Sequence, residues 1–370
     1  MQKQRNSNLE LLRIISMVLI VMHHYAVHGG FQLLEKNLSL NKIIIQILSG
    51  GGQLGVNLFI LISGYFLIDS KFKINKFLKL VFETFFYSFV IMVVFTVSKS
   101  NLNIGIKDII ISFLPITYSS YWFVTCYIVL YLFIDNINPT IKALDKKKYF
   151  QLILLLLLLL CIIPSFTLGK PGYSQFVWFI FVYLVAGYIK LYPCKFMFNF
   201  KINFILGILF YLIVLFSFII FDYLGIPDTF FGKGVTHFAQ TNSIFIFLSS
   251  VFTFLAFKNI KMKNYKLLNV ISSTTFGIYL IHDNFLMRKF IWGEYFKVYE
   301  HFKDTNLLFY SLKIIILVFI ICSLLDFIRQ KLFIFSVDKI ILITENKIKN
   351  ILLFLDKIYV QRIENNKLEE

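Results

Sequence analysis

An all-α, polytopic membrane protein, with about ten transmembrane helices and a cytoplasmic, partly amphipathic carboxy-terminal tail, is the fold class this sequence predicts. Three observations predict it. Of 370 residues 58% are hydrophobic, and the mean hydropathy is +0.76; a soluble domain of this length cannot bury so much apolar surface. Apolar runs recur at the length that crosses a hydrocarbon core. Lysine and arginine are dense in alternate loops.

The apolar runs fall at 9–27, 54–69, 77–97, 121–138, 149–168, 175–191, 202–223, 242–258, 268–287 and 307–328. With the amino terminus inside, 25 of the 37 Lys and Arg lie on inner segments and 10 on outer ones, span-end residues being counted with the adjoining loop. This positive-inside bias puts both termini in the cytoplasm and the protein in the cell membrane. The formal net charge of +17 is therefore a topology signal, and a nucleic-acid partner is not expected. No small-residue cleavage site follows the first run, so it reads as retained.

Residues 1–328 read as one membrane domain. The second run is short, and Gly50, Gly51, Gly52 and Gly55 make it a candidate for irregular backbone lining a cavity. The outer loops, 28–53, 98–120, 224–241 and 288–306, are longer than turns require. Pro227, Gly232, Gly234 and His237 interrupt the third. In the tail, 329–370, Ile348, Ile351, Leu352, Leu355, Ile358 and Tyr359 share one helical stripe, with Lys347, Lys349, Lys357 and Arg362 off it. This predicts an amphipathic helix on the inner membrane face. Cys126, Cys161, Cys194 and Cys322 form no CxxC pair and read as free thiols.

The first run, ELLRIISMVLIVMHHYAVHGG over Glu10–Gly30, carries Arg13, His23 and His24. Charge inside a membrane helix is costly and faces protein or a water-filled cavity. Arg13 and His24 are eleven residues apart, close to three turns, so they project from nearly one face, roughly 16 Å apart along the axis. A structural account has Glu10 and Arg13 neutralising each other at i,i+3 and both histidines at the outer interface. A functional account uses His24 as a base that takes a proton from a hydroxyl. Arg13 would then bind an anionic part of a long ligand, or hold Glu10. His24 and His28 could share a metal, but no third ligand is evident and no metal site is expected.

Other candidates are weaker alone. Ser63–Gly64–Tyr65 is no nucleophile elbow; the small pair fits close helix packing or backbone approach to a ligand. Trp122 opens a span within YWFVTCY and reads as aromatic belt or as an acceptor-side group. His282 and Asp283 sit at the outer end of the ninth run, as interfacial residues or as support for the site. Lys71, Lys73, Lys76 and Lys79, and the group Lys142, Lys146, Lys147 and Lys148, meet anionic headgroups; Lys71, Lys73 and Lys76 could alternatively bind a phosphorylated cytoplasmic ligand.

In order and spacing, ELLRIISMVLIVMHHY, GVNLFILISGYFL, YWFVTCYIVLYL and TFGIYLIH resemble the acyltransferase-3 family of integral membrane O-acyltransferases, of the cell-surface polysaccharide acetyltransferase type, over roughly residues 5–335. The most specific element is Arg, ten residues, then His, matched by Arg13 and His24. Tyr65 stands where relatives often have Phe, and no stretch here reads as the SGNH-type domain that many relatives add. The resemblance implies about ten helices, with acyl-CoA (commonly acetyl-CoA) as donor substrate and no covalently bound cofactor. It implies as acceptor a hydroxyl of a surface glycan or lipid-linked glycan. It carries Arg13 and His24 over as functional residues. His23, Glu10, Trp122, His282 and Asp283 are then supporting candidates, Lys71, Lys73 and Lys76 candidates for CoA phosphates, and polysaccharide synthesis machinery a candidate partner.

Two rival classes share some of these features. A transporter for a glycan or lipid-linked intermediate would also use intramembrane His and Arg, but such proteins commonly carry inverted repeats and paired broken helices; one candidate break and no repeat are seen. A scaffold for a synthase complex would make Arg13 and His24 dispensable.

Overall fold

A computed structural model of the protein describes residues 6–31, 39–98, 104–167, 174–224 and 234–369, with side chains in the last range given for 234–332, 339–351 and 354. Among the described residues every regular element is helical. Eight helical segments are long and apolar enough to cross a bilayer, and Gln175–Leu191 is a shorter apolar helix. Inner and outer below follow the charge-based orientation.

Helix α1 (Ser7–His28) is the hub, packed on α2 (Leu40–Leu67) along most of its length. The second span differs from expectation. Ser39 caps α2 by accepting the Lys42 N–H at 3.1 Å, and the helix then runs unbroken through all four glycines. The physical reason is a close crossing. A Cβ at Gly51 would stand 2.8 Å from Leu19, one at Gly55 2.6 Å from the Ser16 carbonyl oxygen, and one at Gly52 would overlap the root of the His23 ring. These glycines are contact residues, and the helix absorbs much of the outer loop expected over 28–53. Gly52→Ala is expected to destabilise the protein by about 1–3 kcal/mol through overpacking, read as a lower melting temperature in detergent.

After α3 (Ile74–Val97) the outer loop holds a short helix, α4 (Ile106–Phe113), and α5 (Trp122–Lys142) returns inward. Helix α6 (Lys146–Leu157), capped by Asp145, passes through a π turn, Leu158–Ile162, into α7 (Ile163–Phe166). Pro164 has no N–H to give to the Leu160 carbonyl. That carbonyl accepts Asn242 Nδ2 at 3.2 Å instead. Helices α8 (Gln175–Leu191), α9 (Phe200–Tyr223) and α10 (Ile244–Lys258) complete this side. A buried Lys42–Asp222 ion pair at 2.9 Å ties α9 to the outer end of α2.

Irregular backbone occurs in the ninth span, not the second. That span is three short helices, α11 (Lys266–Ser273), α12 (Thr275–His282) and α13 (Phe285–Arg288). In the run Ser272–Thr275, the hydroxyls of Ser273, Thr274 and Thr275 bond back to the carbonyls of Val270, Ile271 and Ser272 at 2.7–2.8 Å. Such local bonds compete with the helix ladder. At the outer break Asn284 caps α13 through the N–H groups of Leu286 and Met287. Both breaks face α1, which packs on α11, α12 and α14 (Leu307–Glu369).

Helix α14 contains neither Gly nor Pro, and it runs from the last span into the tail without interruption, 63 residues in all. The tail is thus continuous with the final span. Its stripe residues Leu352, Leu355, Ile358 and Tyr359 lie outside the described side chains. The four cysteines are free thiols.

Candidate active site

A cavity of about 540 Å³ runs beside α1, within the size range of small-molecule sites. Arg13, His23 and His24 all line it. The eleven-residue spacing on α1 is matched across the cavity by the ninth span, which runs in the same direction. Ser272 stands at the level of Arg13, and Asp283, eleven residues on, at the level of His24.

At the inner level Arg13 Nη1 donates to Glu10 Oε2 at 2.7 Å, and the Ser272 hydroxyl donates to the same oxygen. The pair expected at i,i+3 forms. Its members differ in exposure, 24% for the Arg13 side chain against 8% for Glu10. The carboxylate is therefore sealed in the wall while the guanidinium still opens on the cavity.

At the outer level His24 Nδ1 lies 2.9 Å from His282 Nε2 and 3.1 Å from Asp283 Oδ1. These contacts fix the tautomer. His282 Nδ1 is 2.6 Å from the Ile278 carbonyl, which can only accept, so His282 Nδ1 carries a proton and its Nε2 is an acceptor. Asp283 also only accepts. His24 Nδ1 must then be the donor, which leaves His24 Nε2 with a bare lone pair. Among the described residues no group bonds that atom. Asp283 is 1% exposed and is held by Arg288, whose Nε and Nη2 each reach Oδ1 at 2.7 Å. The neighbouring Tyr25 anchors this end of α1 through a 2.9 Å bond from Ser311 and an edge contact with Trp292.

His24, His28 and Asp283 place three ligand atoms within 4.8 Å of one another, so this cluster is where a metal would sit. Asp283 Oδ1 accepts from Arg288 and His24, so the guanidinium supplies positive charge beside the cluster, while Asp283 Oδ2 is buried without a hydrogen-bond partner among the described residues.

Trp122 lines the cavity near its outer end. Tyr121, just before it, donates to the Leu280 carbonyl at 3.0 Å and accepts from Asn284 Nδ2 at 2.8 Å, which locks the start of α5 to the ninth span. Between the two levels the wall is largely apolar: Met17, Ile20, Val56, Phe59 and Phe123, with Ser63 and Tyr127 as polar exceptions. Gly64 beside Ser63 packs against Tyr183 and Ala186.

Among the predicted residues, then, Arg13, His23, His24 and Trp122 line one cavity. Glu10, His282 and Asp283 are not in the lining but bond residues that are: Glu10 to Arg13 and Ser272, and His282 and Asp283 to His24. Lys71, Lys73 and Lys76 are exposed and are not part of the lining. The inner mouth instead carries Lys79 and Arg329 with Glu83, Ser273 and Gln330. Arg329 is committed to Glu83 at 2.5 Å and Asp326 at 2.8 Å, and Asp326 also accepts from Tyr87 and Gln330. Gly277 lets α12 lie directly on the Asp326 carboxylate. Lys79 is left as the cation with no ion pair among the described residues.

A family model described as "Acyltransferase domain", of the acyltransferase-3 type, matches residues 6–327. The chain belongs to the acyltransferase-3 family. No curated protein and no solved structure matches it. The match covers every cavity-lining residue except Arg329 and Gln330. The protein is a multi-pass membrane acyltransferase, and Arg13, His23 and His24 open on one cavity within it.

Proposed function

We propose that this acyltransferase moves an acyl group, acetyl in the simplest case, from cytoplasmic acyl-CoA to a hydroxyl of an extracytoplasmic or lipid-linked surface glycan. What carries the reading is one observation. A guanidinium and an imidazole on the same helix open onto a single cavity, and the imidazole has its Nδ1 tied down and its Nε2 free. In this reading both termini are cytoplasmic, the protein sits in the cell membrane, and it works alongside polysaccharide synthesis machinery.

The donor enters at the inner mouth, where its phosphates meet Lys79 and Arg13. Its thiol arm follows the apolar wall along Met17, Ile20, Val56 and Phe59. At the outer end His24 Nε2 takes the proton of the acceptor hydroxyl as that oxygen bonds to the thioester carbonyl carbon. The tetrahedral oxyanion collapses, the C–S bond breaks, and the CoA thiolate leaves with the proton returned by the imidazolium. Asp283 holds the imidazole in its working tautomer and balances its positive charge in the intermediate.

Purified protein given labelled acetyl-CoA and a wall-glycan acceptor is expected to release CoA and label the glycan. CoA release without a labelled product, or neither, would contradict the reading. Replacing Arg13 by Ala is expected to raise the acyl-CoA KM by about 10–100-fold, the worth of a charge-assisted hydrogen bond, with a smaller change in kcat. Since Arg13 also neutralises the buried Glu10, the measurement is best made in Glu10→Gln/Arg13→Ala, which leaves no unpaired carboxylate.

A further inference from the structure

His23 is not used in the mechanism above, yet it lines the same cavity beside His24. Its Nδ1 lies 2.6 Å from the Ser49 carbonyl oxygen on α2. A carbonyl only accepts, so Nδ1 carries the proton and Nε2 is a bare acceptor, as in His24. The two rings are 5.6 Å apart and tilted by 53°. They are pinned from opposite walls, His23 by α2 and His24 by the ninth span. In an imidazole the two nitrogens face away from each other across the ring. With each Nδ1 bonded to its wall, each Nε2 is left as the free acceptor of a ring that lines the cavity. The outer end of the cavity thus offers two neighbouring acceptors.

A single alcohol can donate only one hydrogen bond and would leave one of these lone pairs unmet. Two hydroxyls on neighbouring carbons would satisfy both. The same wall supplies the matching donor. Gln53 lines the cavity one residue beyond the glycine against which His23 packs. Its side-chain carbonyl accepts from the Thr241 hydroxyl. That anchors the amide and leaves its NH₂ for an acceptor oxygen. Trp122, with its flat face, lines this end as well.

We infer that the acceptor presents a vicinal diol, and that His23 accepts a hydrogen bond from the hydroxyl that is not acylated, so that His23 sets acceptor specificity. This rests on the reading of His24 as base and adds to it the class of alcohol. His24 deprotonates one oxygen, while His23 and Gln53 hold its neighbour and so fix which oxygen faces the thioester.

The test uses the full chain in nanodiscs with labelled acetyl-CoA and three acceptor probes: cis-1,2-cyclohexanediol, trans-1,2-cyclohexanediol and cyclohexanol. In the wild type, kcat/KM for at least one diol is expected to exceed that for cyclohexanol by roughly tenfold, the worth of one hydrogen bond. In His23→Ala the ratio is expected to fall severalfold, toward the statistical value of about two that two equivalent hydroxyls give, with Gln53 keeping only its own bond to the second oxygen. His23→Gln, which keeps an amide oxygen within reach, is expected to restore part of the preference. A wild-type ratio near that statistical value, or a ratio unchanged in His23→Ala, would overturn the inference while leaving His24 as base. Absence of transfer to all three alcohols would overturn the proposed function itself. If His23→Ala fails to fold, the wild-type ratio and the His23→Gln ratio decide the matter.

Discussion

A His24→Ala protein that inserts and purifies normally is expected to lose acyl transfer by about 10²–10⁴ in kcat, the usual worth of a positioned general base. The KM for acyl-CoA is expected to stay near the wild-type value, because in the proposed binding mode the donor's charged end meets Arg13, some three turns away. The fold is expected to tolerate the change. Removing the imidazole deletes a hydrogen bond to Asp283 but leaves that carboxylate paired with both Arg288 contacts at 2.7 Å. Labelled acetyl-CoA and a single-turnover measurement separate chemistry from binding. A wild-type rate in this variant would remove His24 from the reaction.

Asp283→Asn is the second large effect. The substitution keeps the shape of the side chain and removes its charge. The imidazolium formed at His24 during transfer would then sit beside Arg288 with no counter-charge, so kcat is expected to fall by about 10²–10³. His282 Nε2 still accepts the His24 Nδ1 proton at 2.9 Å, and for that reason the loss stops short of the His24→Ala limit. Stability is expected to fall too, because Arg288 loses its partner. Adding Arg288→Gln relieves the unpaired cation and is expected to recover the melting temperature without recovering kcat. A double variant that regained both would make Asp283 a structural residue only.

How far the sequence reached can be argued from particular residues. The first helix was legible because both of its signals are local. An apolar run sets the membrane helix, and an eleven-residue spacing on a 3.6-residue period sets a shared face. Glu10 and Arg13 pair for the same reason. Asp283 was visible as a residue near the right membrane surface, but its role was not. Its contact with His24 joins positions some 260 residues apart, and its ion-pair partner is Arg288, which has no motif around it. Lys71, Lys73, Lys76 and Lys79 form one basic cluster in the sequence, and only packing reveals that Lys79 alone turns toward the cavity.

The glycines misled for a physical reason. Gly lowers helix propensity and also permits close approach, and the sequence does not say which property is in use. At Gly51, Gly52 and Gly55 it is close approach, since α1 occupies the space a Cβ would need. The real breaks lie at Ser272–Thr275 and at Asp283–Asn284, where side-chain oxygens replace ladder hydrogen bonds. Hydropathy averaged over a span-length window does not register four hydroxyl residues in an otherwise apolar stretch. Those two breaks place Ser272 on Glu10 and Asp283 on His24, so the part of the fold least legible in the sequence is the part that completes the cavity.

The most direct measurement is a structure of the protein in nanodiscs with a non-hydrolysable acetyl-CoA analogue bound. The account predicts the phosphates at the inner mouth beside Arg13 and Lys79, the thiol arm along Met17, Ile20 and Val56, and the acyl carbon at the level of His24 Nε2. An analogue bound outside this cavity, or threaded with its acyl end nearer Arg13 than His24, would contradict it.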